Sequence, residues 1–163
     1  MKMLFKFKYG IITSLIAAVC VFFDLLSKTL TDGKIIPIFG DFFYFSSSHN
    51  DGAAYGIFAG HTWGLIVVTS IVLVLILVFN CLKKQKSVFY CISVGLIIGG
   101  AIGNLFDRIF LGEVRDFIKF SFFSFTFNIA DACLTIGVVL FAIYLLFLDK
   151  SFGKKQGDNG GKN

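Results

Sequence analysis

The stretch NLFDRIFLGEVRDFIKFSFFSFTFNIAD, residues 104–131, is a charged island between two long apolar runs. Its polar and charged residues include Asn104, Asp107, Arg108, Arg115, Asp116, Asn128 and Asp131. Ionisable residues are costly at membrane depth and are retained there mainly where they carry a function. The stretch therefore predicts two membrane-spanning helices joined by a polar connection that holds a candidate site.

The composition around this stretch is that of a membrane protein. The chain has 163 residues, of which 56% are hydrophobic, with 22 Phe and a single Pro, and its mean hydropathy is +0.84. These values exclude an ordinary soluble domain, and the length has room for one domain. The four Cys residues form no C-x-x-C pair and neither His has a partner at metal spacing, so we expect no disulfide framework and no metal site.

Four apolar runs approach the length needed to cross a bilayer, which is about 20 residues. They cover approximately residues 7–26, 62–80, 87–106 and 129–148. The first run follows several lysines, as in a signal peptide, but three more runs come after it, so we interpret it as an uncleaved span. Residues 1–150 are expected to form one four-span domain. Residues 151–163 lack the apolar content to fold and are expected to form a disordered cytoplasmic tail.

The basic residues predict the orientation in the membrane. Ten of the fifteen lie on one side of a four-span arrangement, namely Lys2, Lys6, Lys8, Lys83, Lys84, Lys86, Lys150, Lys154, Lys155 and Lys162. Cytoplasmic loops retain positive charge, so both termini are expected to be cytoplasmic. Most acidic residues lie on the opposite side, where we expect the chemistry. The net charge of +5 is then a topology signal, and no nucleic-acid partner is indicated.

The first outer connection, at about residues 30–60, is long enough to fold on its own. Within it, residues 34–44 contain two runs rich in Ile and Phe, which are split by Gly40 and Asp41. This pattern favours a β-hairpin, and its aromatic content suits the headgroup zone. The expected architecture is therefore a four-helix membrane protein with a small β element on its outer side.

Two shorter motifs also lie on the outer side. Asp24 and Lys28 are four residues apart and share a helix face at the end of the first span, as an anchoring salt bridge, as part of a site, or as both. Asn50, Asp51 and Gly52 precede the second span. An Asn side chain and a glycine backbone suit an extended ligand, but a tight turn uses the same residues.

The third span carries glycines in two overlapping G-x-x-x-G steps, at Gly95, Gly99 and Gly103. Small residues at this spacing let neighbouring helices approach closely, so we expect this face to pack. At the outer end of the same span, Asp107 is expected to orient Arg108 or Asn104.

Asp116 and Asp131 are the strongest candidates for chemistry. Asn128 is placed to cap the fourth span, which puts Asp131 in the first helical turn, where the helix dipole favours a charged carboxylate. Two carboxylates brought together cannot both ionise comfortably, so one holds a proton while the other is charged. Such a pair activates water as a general base and protonates the substrate as a general acid.

Spacing alone leaves other interpretations open. Asp131 could serve only to begin its helix, and Asp116 could form a solvated ion pair. Adjacent side chains of an extended segment point to opposite faces, so we expect Arg115 to face the lipid headgroups. A small ion or proton transporter that uses the outer-end charges would also fit, as would a non-catalytic assembly protein packed through the glycines.

Taken in order, five motifs resemble those of lipoprotein signal peptidase, the signal peptidase II family of bacterial prolipoprotein aspartyl peptidases. They are the Asp24/Lys28 pair, NDGAAYG at 50–56, GNLFDR at 103–108, VRDF at 114–117 and FNIAD at 127–131. The resemblance covers most of the chain. Among its small departures, Arg115 stands where the family usually has an apolar residue.

This resemblance implies an aspartic endopeptidase of the bacterial cell membrane, which removes signal peptides from diacylglyceryl-modified prolipoproteins by cutting before the lipidated cysteine. It implies a catalytic pair, Asp116 and Asp131. It implies substrate-binding or supporting residues at Asp24, Lys28, Asn50, Gly52, Asn104, Arg108, Asn128 and Ala130. It further implies four transmembrane helices with an extracytoplasmic β-cradle at the membrane surface, no cofactor, a monomer in contact with membrane lipids, and inhibition by the antibiotic globomycin.

Overall fold

The computed structural model describes residues 2–52, 58–82 and 87–149, with side chains from residue 8 onward. The helices are α1 (Lys2–Thr31), α2 (Thr62–Leu82), α3 (Val88–Leu111) and α4 (Ile129–Ile143), the last continuing as a π-helical turn, Tyr144–Leu148. The strands are β1 (Ile35–Phe39), β2 (Phe43–Asn50), β3 (Val114–Phe120) and β4 (Thr126–Phe127). Each of the four helices is long and apolar enough to cross a membrane. The predicted fold class, a helical membrane protein with a small β element, is confirmed. The expected tail at 151–163 lies outside the described residues.

Two helices extend further than the apolar runs indicated. α1 continues to Thr31 instead of ending near residue 26, and α3 continues to Leu111 instead of residue 106. The physical reason is that the charged residues at these outer ends find partners inside the protein, so the helix need not stop where the apolar run stops. α3 ends at Gly112, whose φ of 82° forms a left-handed C-cap.

α3 is the central helix, and its glycines are the contact points expected from the sequence. A Cβ added at Gly99 would lie 2.6 Å from Cys20 Cβ on α1, and one added at Gly95 would lie 2.8 Å from Ile16 Cβ. Gly100 approaches the backbone of α4 in the same way, at Ala130. α2 lies at the periphery and has no buried residue. The α1, α3 and α4 backbones are therefore held close together, which brings their outer ends into one place.

The four strands form one antiparallel sheet in the order β1-β2-β3-β4. The hairpin expected within residues 34–44 is present as β1 and β2, although β2 continues to Asn50. The sequence did not predict that the second outer connection would supply the other two strands. In the β2–β3 pairing, Asn50 is opposite Val114 and Ser48 is opposite Asp116. The pairing therefore places the end of β2 beside the start of β3, next to the helix ends that carry the charged residues.

Candidate active site

Asp131 lies in the first turn of α4 and also faces the interior of the site. Asn128 is the N-cap: its Oδ1 accepts from the Asp131 backbone N–H at 2.8 Å, and Asp131 Oδ2 accepts from the Asn128 backbone N–H at 3.3 Å. This is a reciprocal capping box. The other carboxylate oxygen, Oδ1, accepts from Asn104 Nδ2 at 2.7 Å. Helix capping therefore occupies one edge of the carboxylate and leaves the other edge linked to the polar cluster.

Asp116 lies on β3 and is 3% exposed. Its Oδ1 accepts from Asn128 Nδ2 at 2.6 Å and its Oδ2 accepts from Asn50 Nδ2 at 3.2 Å. A buried side chain in these bonds is not the solvated ion pair that spacing had left open. Asn128 contacts both acids, since its backbone and Oδ1 bind Asp131 while its amide nitrogen binds Asp116.

Burial, which disfavours a charged carboxylate, and the nearby charge of Asp131 together raise the pKa of Asp116 to about 6. The hydrogen bonds from Asn50 and Asn128 and the charge of Lys28 act in the opposite direction. The side chain is therefore a carboxyl group that can hold a proton close to neutral pH.

Asn104 connects these acids to a buried ion network. Its Oδ1 accepts from Asn128 Nδ2 at 3.1 Å and from Lys28 Nζ at 3.0 Å. The Lys28 ammonium also lies 2.7 Å from Asp24 and 3.4 Å from Asp107, and all three of these charged side chains are fully buried. The Asp24/Lys28 pair expected from their spacing is therefore present, and it lies directly behind the two candidate acids.

Asp24 further joins α1 to the start of α4. Its Oδ1 accepts from the backbone N–H of Ala130 at 2.8 Å. This N–H group belongs to the first turn of α4, where backbone N–H groups have no hydrogen-bond partner within the helix. Ala130 is 1% exposed and packs beneath Gly103, so a larger residue would not fit without displacing α3.

The neighbouring charges differ from expectation at two residues. Asp107 was expected to orient Arg108 or Asn104, but its hydrogen bonds come from Arg115, whose Nη2 donates at 2.8 Å to Oδ1 and whose Nε donates at 3.3 Å to Oδ2, and it reaches Asn104 through Lys28. Arg115 was expected to face headgroups, but its side chain is only 14% exposed. Strand alternation does point Arg115 away from Asp116, but α3 lies on that side of β3 and supplies a buried anion.

Arg108 connects α3 to the segment at 50–52. Its Nη2 donates to the carbonyl oxygen of Gly52 at 2.9 Å, while its Nε is buried and has no hydrogen-bond partner among the described residues. Gly52 N–H in turn donates to Asn50 Oδ1 at 3.0 Å. The segment at 50–52 is therefore a turn, and Asn50 also contacts Asp116; binding of an extended ligand there stays a prediction. All ten sequence-predicted site residues belong to this one cluster.

Sequence reasoning missed the connections of His49. The sequence showed no partner at metal spacing for this residue, but its Nδ1 lies 2.6 Å from Glu113 Oε1 and its Nε2 lies 3.2 Å from Asp32 Oδ1. Desolvation opposes the charged ring, but these hydrogen bonds outweigh it and raise the pKa of His49. The cluster ties the end of α1 to β2 and to the start of β3. Its partners are 17 and 64 residues away, so no local pattern signals it.

The described residues contain no group of His, Cys, Asp and Glu side chains arranged to hold a metal ion. The cluster contains two acids in different environments, amide groups that hold them, and a guanidinium that donates to the Gly52 carbonyl oxygen. Four apolar helices with this buried polar cluster at one end of the bundle define a membrane protein with a candidate acid–base site.

Comparison with known proteins identifies the family. Residues 16–147 match the family described as Signal peptidase (SPase) II, and the chain belongs to this family. It is 35% identical to a lipoprotein signal peptidase of Desulfitobacterium hafniense (strain DSM 10664 / DCB-2) over 132 residues, which cover 81% of this chain and 87% of that protein. It is 38% identical to a lipoprotein signal peptidase of Staphylococcus aureus (strain Newman) over 148 residues, covering 85% and 91%.

Two solved structures of bacterial membrane enzymes, determined by the in meso method, have the same fold. One gives a TM-score of 0.76 at 33% identity and covers 93% of each chain. The other gives 0.74 at 35% identity, covering 83% of this chain and 93% of that one. The protein is therefore a multi-pass membrane peptidase that removes signal peptides from prolipoproteins, and the transporter hypothesis is not supported.

Proposed function

We propose that this peptidase is of the aspartic type and that Asp116 and Asp131 are its catalytic pair. The observation that carries the proposal is that Asn128 donates to both carboxyl groups, from its side-chain amide to Asp116 on β3 and from its backbone N–H to Asp131 on α4. A shared scaffold fixes the two carboxyl groups relative to one another, as general acid and base catalysis by a pair of acids requires. The raised pKa of Asp116 supports different protonation states for the two acids.

In the proposed reaction, Asp131 is ionised and Asp116 carries the proton. Asp131 takes a proton from a water molecule as its oxygen attacks the scissile carbonyl carbon, and Asp116 donates its proton to the carbonyl oxygen. The tetrahedral intermediate then collapses as the C–N bond breaks, and the leaving amine receives a proton from the acid that Asp131 has become. The proton of the intermediate's hydroxyl group returns to Asp116, so the pair ends the cycle as it began.

The other site residues have supporting roles in this proposal. Asn50, Asn104 and Asn128 hold the two carboxyl groups through their amides. Arg108 holds the Gly52 turn beside the acids by donating to its carbonyl oxygen. The proposed cut is before the diacylglyceryl-modified cysteine, which the membrane would hold at the level of the site. Globomycin is expected to inhibit by occupying the same pair.

The proposed orientation puts both termini in the cytoplasm and the site on the outer face. The distribution of lysines supports this orientation. The turns of the sheet expose several phenylalanines, among them Phe39, Phe42, Phe122 and Phe123, which supports a position of the sheet at a membrane–water interface. Exposed aromatic side chains favour the membrane–water interface. The sheet would then lie on the outer membrane surface among lipids, as part of a single four-span domain that works as a monomer.

The aspartic assignment is tested by replacing each acid with Asn, which keeps the shape and removes the titrating group. Asp116→Asn and Asp131→Asn are each expected to lower kcat for cleavage of a lipidated precursor by at least about a hundredfold, the scale of a lost general acid or base. The matched control is Asp41→Asn, at an exposed turn between β1 and β2. Normal processing by either variant, once inserted and folded, would refute the assignment.

A further inference from the structure

The ion pair between Arg115 and Asp107 lies outside the proposed catalytic pair, but Asp107 also lies 3.4 Å from Lys28, which donates to Asn104. Three donors of Arg115 converge on Asp107: the backbone N–H at 3.1 Å, Nε at 3.3 Å and Nη2 at 2.8 Å. Asp107 is fully buried on α3. A forked guanidinium–carboxylate pair of this kind fixes geometry as well as charge.

One consequence concerns Asp116. Arg115 is the residue before it on β3, so the fork attaches this strand to α3 one residue away from the carboxyl group. Within the sheet, β3 pairs with β2 on one edge and with the short β4 on the other. The fork is a side-chain connection between α3 and the part of the strand that carries Asp116.

The second consequence concerns Asp131, which is linked to Asp107 through Lys28 and Asn104. Lys28 Nζ lies between Asp24 at 2.7 Å and Asp107 at 3.4 Å and donates to Asn104 Oδ1 at 3.0 Å. Asn104 Nδ2 then donates to Asp131 at 2.7 Å. While Arg115 neutralises Asp107, Lys28 is free to stay near Asp24 and Asn104. Without Arg115, Asp107 would compete for the ammonium group and draw it away from the amide.

We infer that Arg115, acting through Asp107, is a positioning residue that sets the geometry of both acids and the pH range in which the pair is singly protonated. This inference rests on the proposed aspartic function. It concerns a residue that stands where an apolar one is usual, so it describes a feature of this chain in particular.

The charged groups around the pair come from every neighbouring element. Arg115 is near Asp107 on α3, Asp24 on α1, Asp32 after α1, and His49, its cross-strand partner on β2. Asp116 is near Asp131 on α4, Lys28 on α1 and Arg108 on α3. Removing the Arg115 charge makes this surrounding more negative, which favours the protonated form of Asp116 and moves the alkaline limb of activity to higher pH.

The test compares Arg115→Leu with Lys119→Leu, which removes a cation from the same face of the same strand. For cleavage of a lipidated precursor, Arg115→Leu is expected to lower kcat by about tenfold to a hundredfold, the scale of a small displacement of catalytic groups, with little change in KM. Its alkaline limb of kcat/KM against pH is expected to lie at higher pH. Arg115→Lys, which keeps the charge but loses the fork, is expected to restore the limb and only part of kcat. Lys119→Leu is expected to behave as the wild type.

Two further comparisons separate positioning from folding. In a double-mutant cycle, Asp107→Asn together with Arg115→Leu is expected to cost little more than the larger single loss, because both changes break one connection. Repeating the pH profiles in a His49→Gln background removes the titration of the neighbouring imidazole. The inference is overturned if Arg115→Leu lowers only the melting temperature or yield while kcat and the pH limb stay at wild-type values. Failure of the aspartic assignment itself would appear separately, as activity in the Asp116→Asn or Asp131→Asn variant.

Discussion

Asp116 and Asp131 come from different elements and sit in different surroundings. Asp116 is buried on a strand between two Asn amides, whereas Asp131 belongs to the first turn of a helix and is partly exposed. The helix N-terminus favours a charged carboxylate, and burial favours a protonated one. This asymmetry is the physical basis for assigning the base role to Asp131 and the acid role to Asp116.

The pKa of Asp116 sets the expected pH dependence of cleavage. The proposed acid must be protonated, so kcat/KM is expected to fall as the pH rises through the pKa of Asp116, about 6. The Asn50 amide stabilises the charged form and lowers this pKa. Asn50→Ala is therefore expected to move the alkaline limb to higher pH. Ser46→Ala, on the same strand, is the control and is expected to leave the limb in place. If Asn50→Ala also left it in place or moved it to lower pH, the assignment of Asp116 would be contradicted.

Among the elements, α3 joins the site to the packing of the helices. It supplies Asn104, Asp107 and Arg108 from one end and the glycine face from the rest of its length. The glycines let α1 and α4 approach, and that approach is what brings Lys28 within reach of Asn104 and Asp24 within reach of the first turn of α4. Packing in the membrane and geometry at its surface are therefore coupled through this helix.

Gly99→Ala tests that coupling. The added Cβ would lie 2.6 Å from Cys20 Cβ and 2.9 Å from the Ala17 carbonyl oxygen, so α1 would have to shift. Overpacking of this kind costs about 1–3 kcal/mol, and we expect a clear loss of resistance to unfolding in detergent. Gly64→Ala is the matched control, because a Cβ there has nothing within 4 Å. Equal stability of the two variants would show that the α1–α3 contact is not close-packed.

The whole molecule combines a membrane bundle with one sheet drawn from both outer connections. The His49 cluster adds a second attachment between sheet and helices, from Asp32 after α1 to Glu113 before β3. These attachments hold the sheet against one end of the helix bundle, so its exposed aromatic turns have a fixed position relative to the helices. That arrangement suits the lipid-anchored substrate proposed above.

The orientation can be tested with the cysteines of the chain. Cys81 is exposed at the end of α2, whereas Cys20 and Cys91 are buried. In the proposed orientation, a membrane-impermeant maleimide is expected to label Cys81 only after the membrane is permeabilised. A protein carrying Asp41→Cys together with Cys81→Ser is expected to be labelled in intact cells. The reverse pattern would place the site in the cytoplasm.

The sequence by itself determined the four helices and the hairpin, and it predicted ten candidate site residues that lie in one cluster. Apolar runs of about 20 residues leave a membrane helix few alternatives, because backbone groups must be satisfied within the segment. Capping of α4 by Asn128 is likewise local. The order of the five motifs, through the family resemblance, indicated catalysis where spacing alone left capping open.

Only the tertiary structure decided how those residues meet. β3 joins the sheet of the first connection, which brings Asn50 to Asp116 across 66 residues, and Arg108 reaches Gly52 across 56. The partners of Asp107, Arg115 and His49 were also outside the reach of sequence reasoning. The physical reason is that hydrophobic periodicity and helix capping depend on residues close in sequence. The partner of a buried charge instead comes from whichever element packs against it, and that element can be far away in sequence.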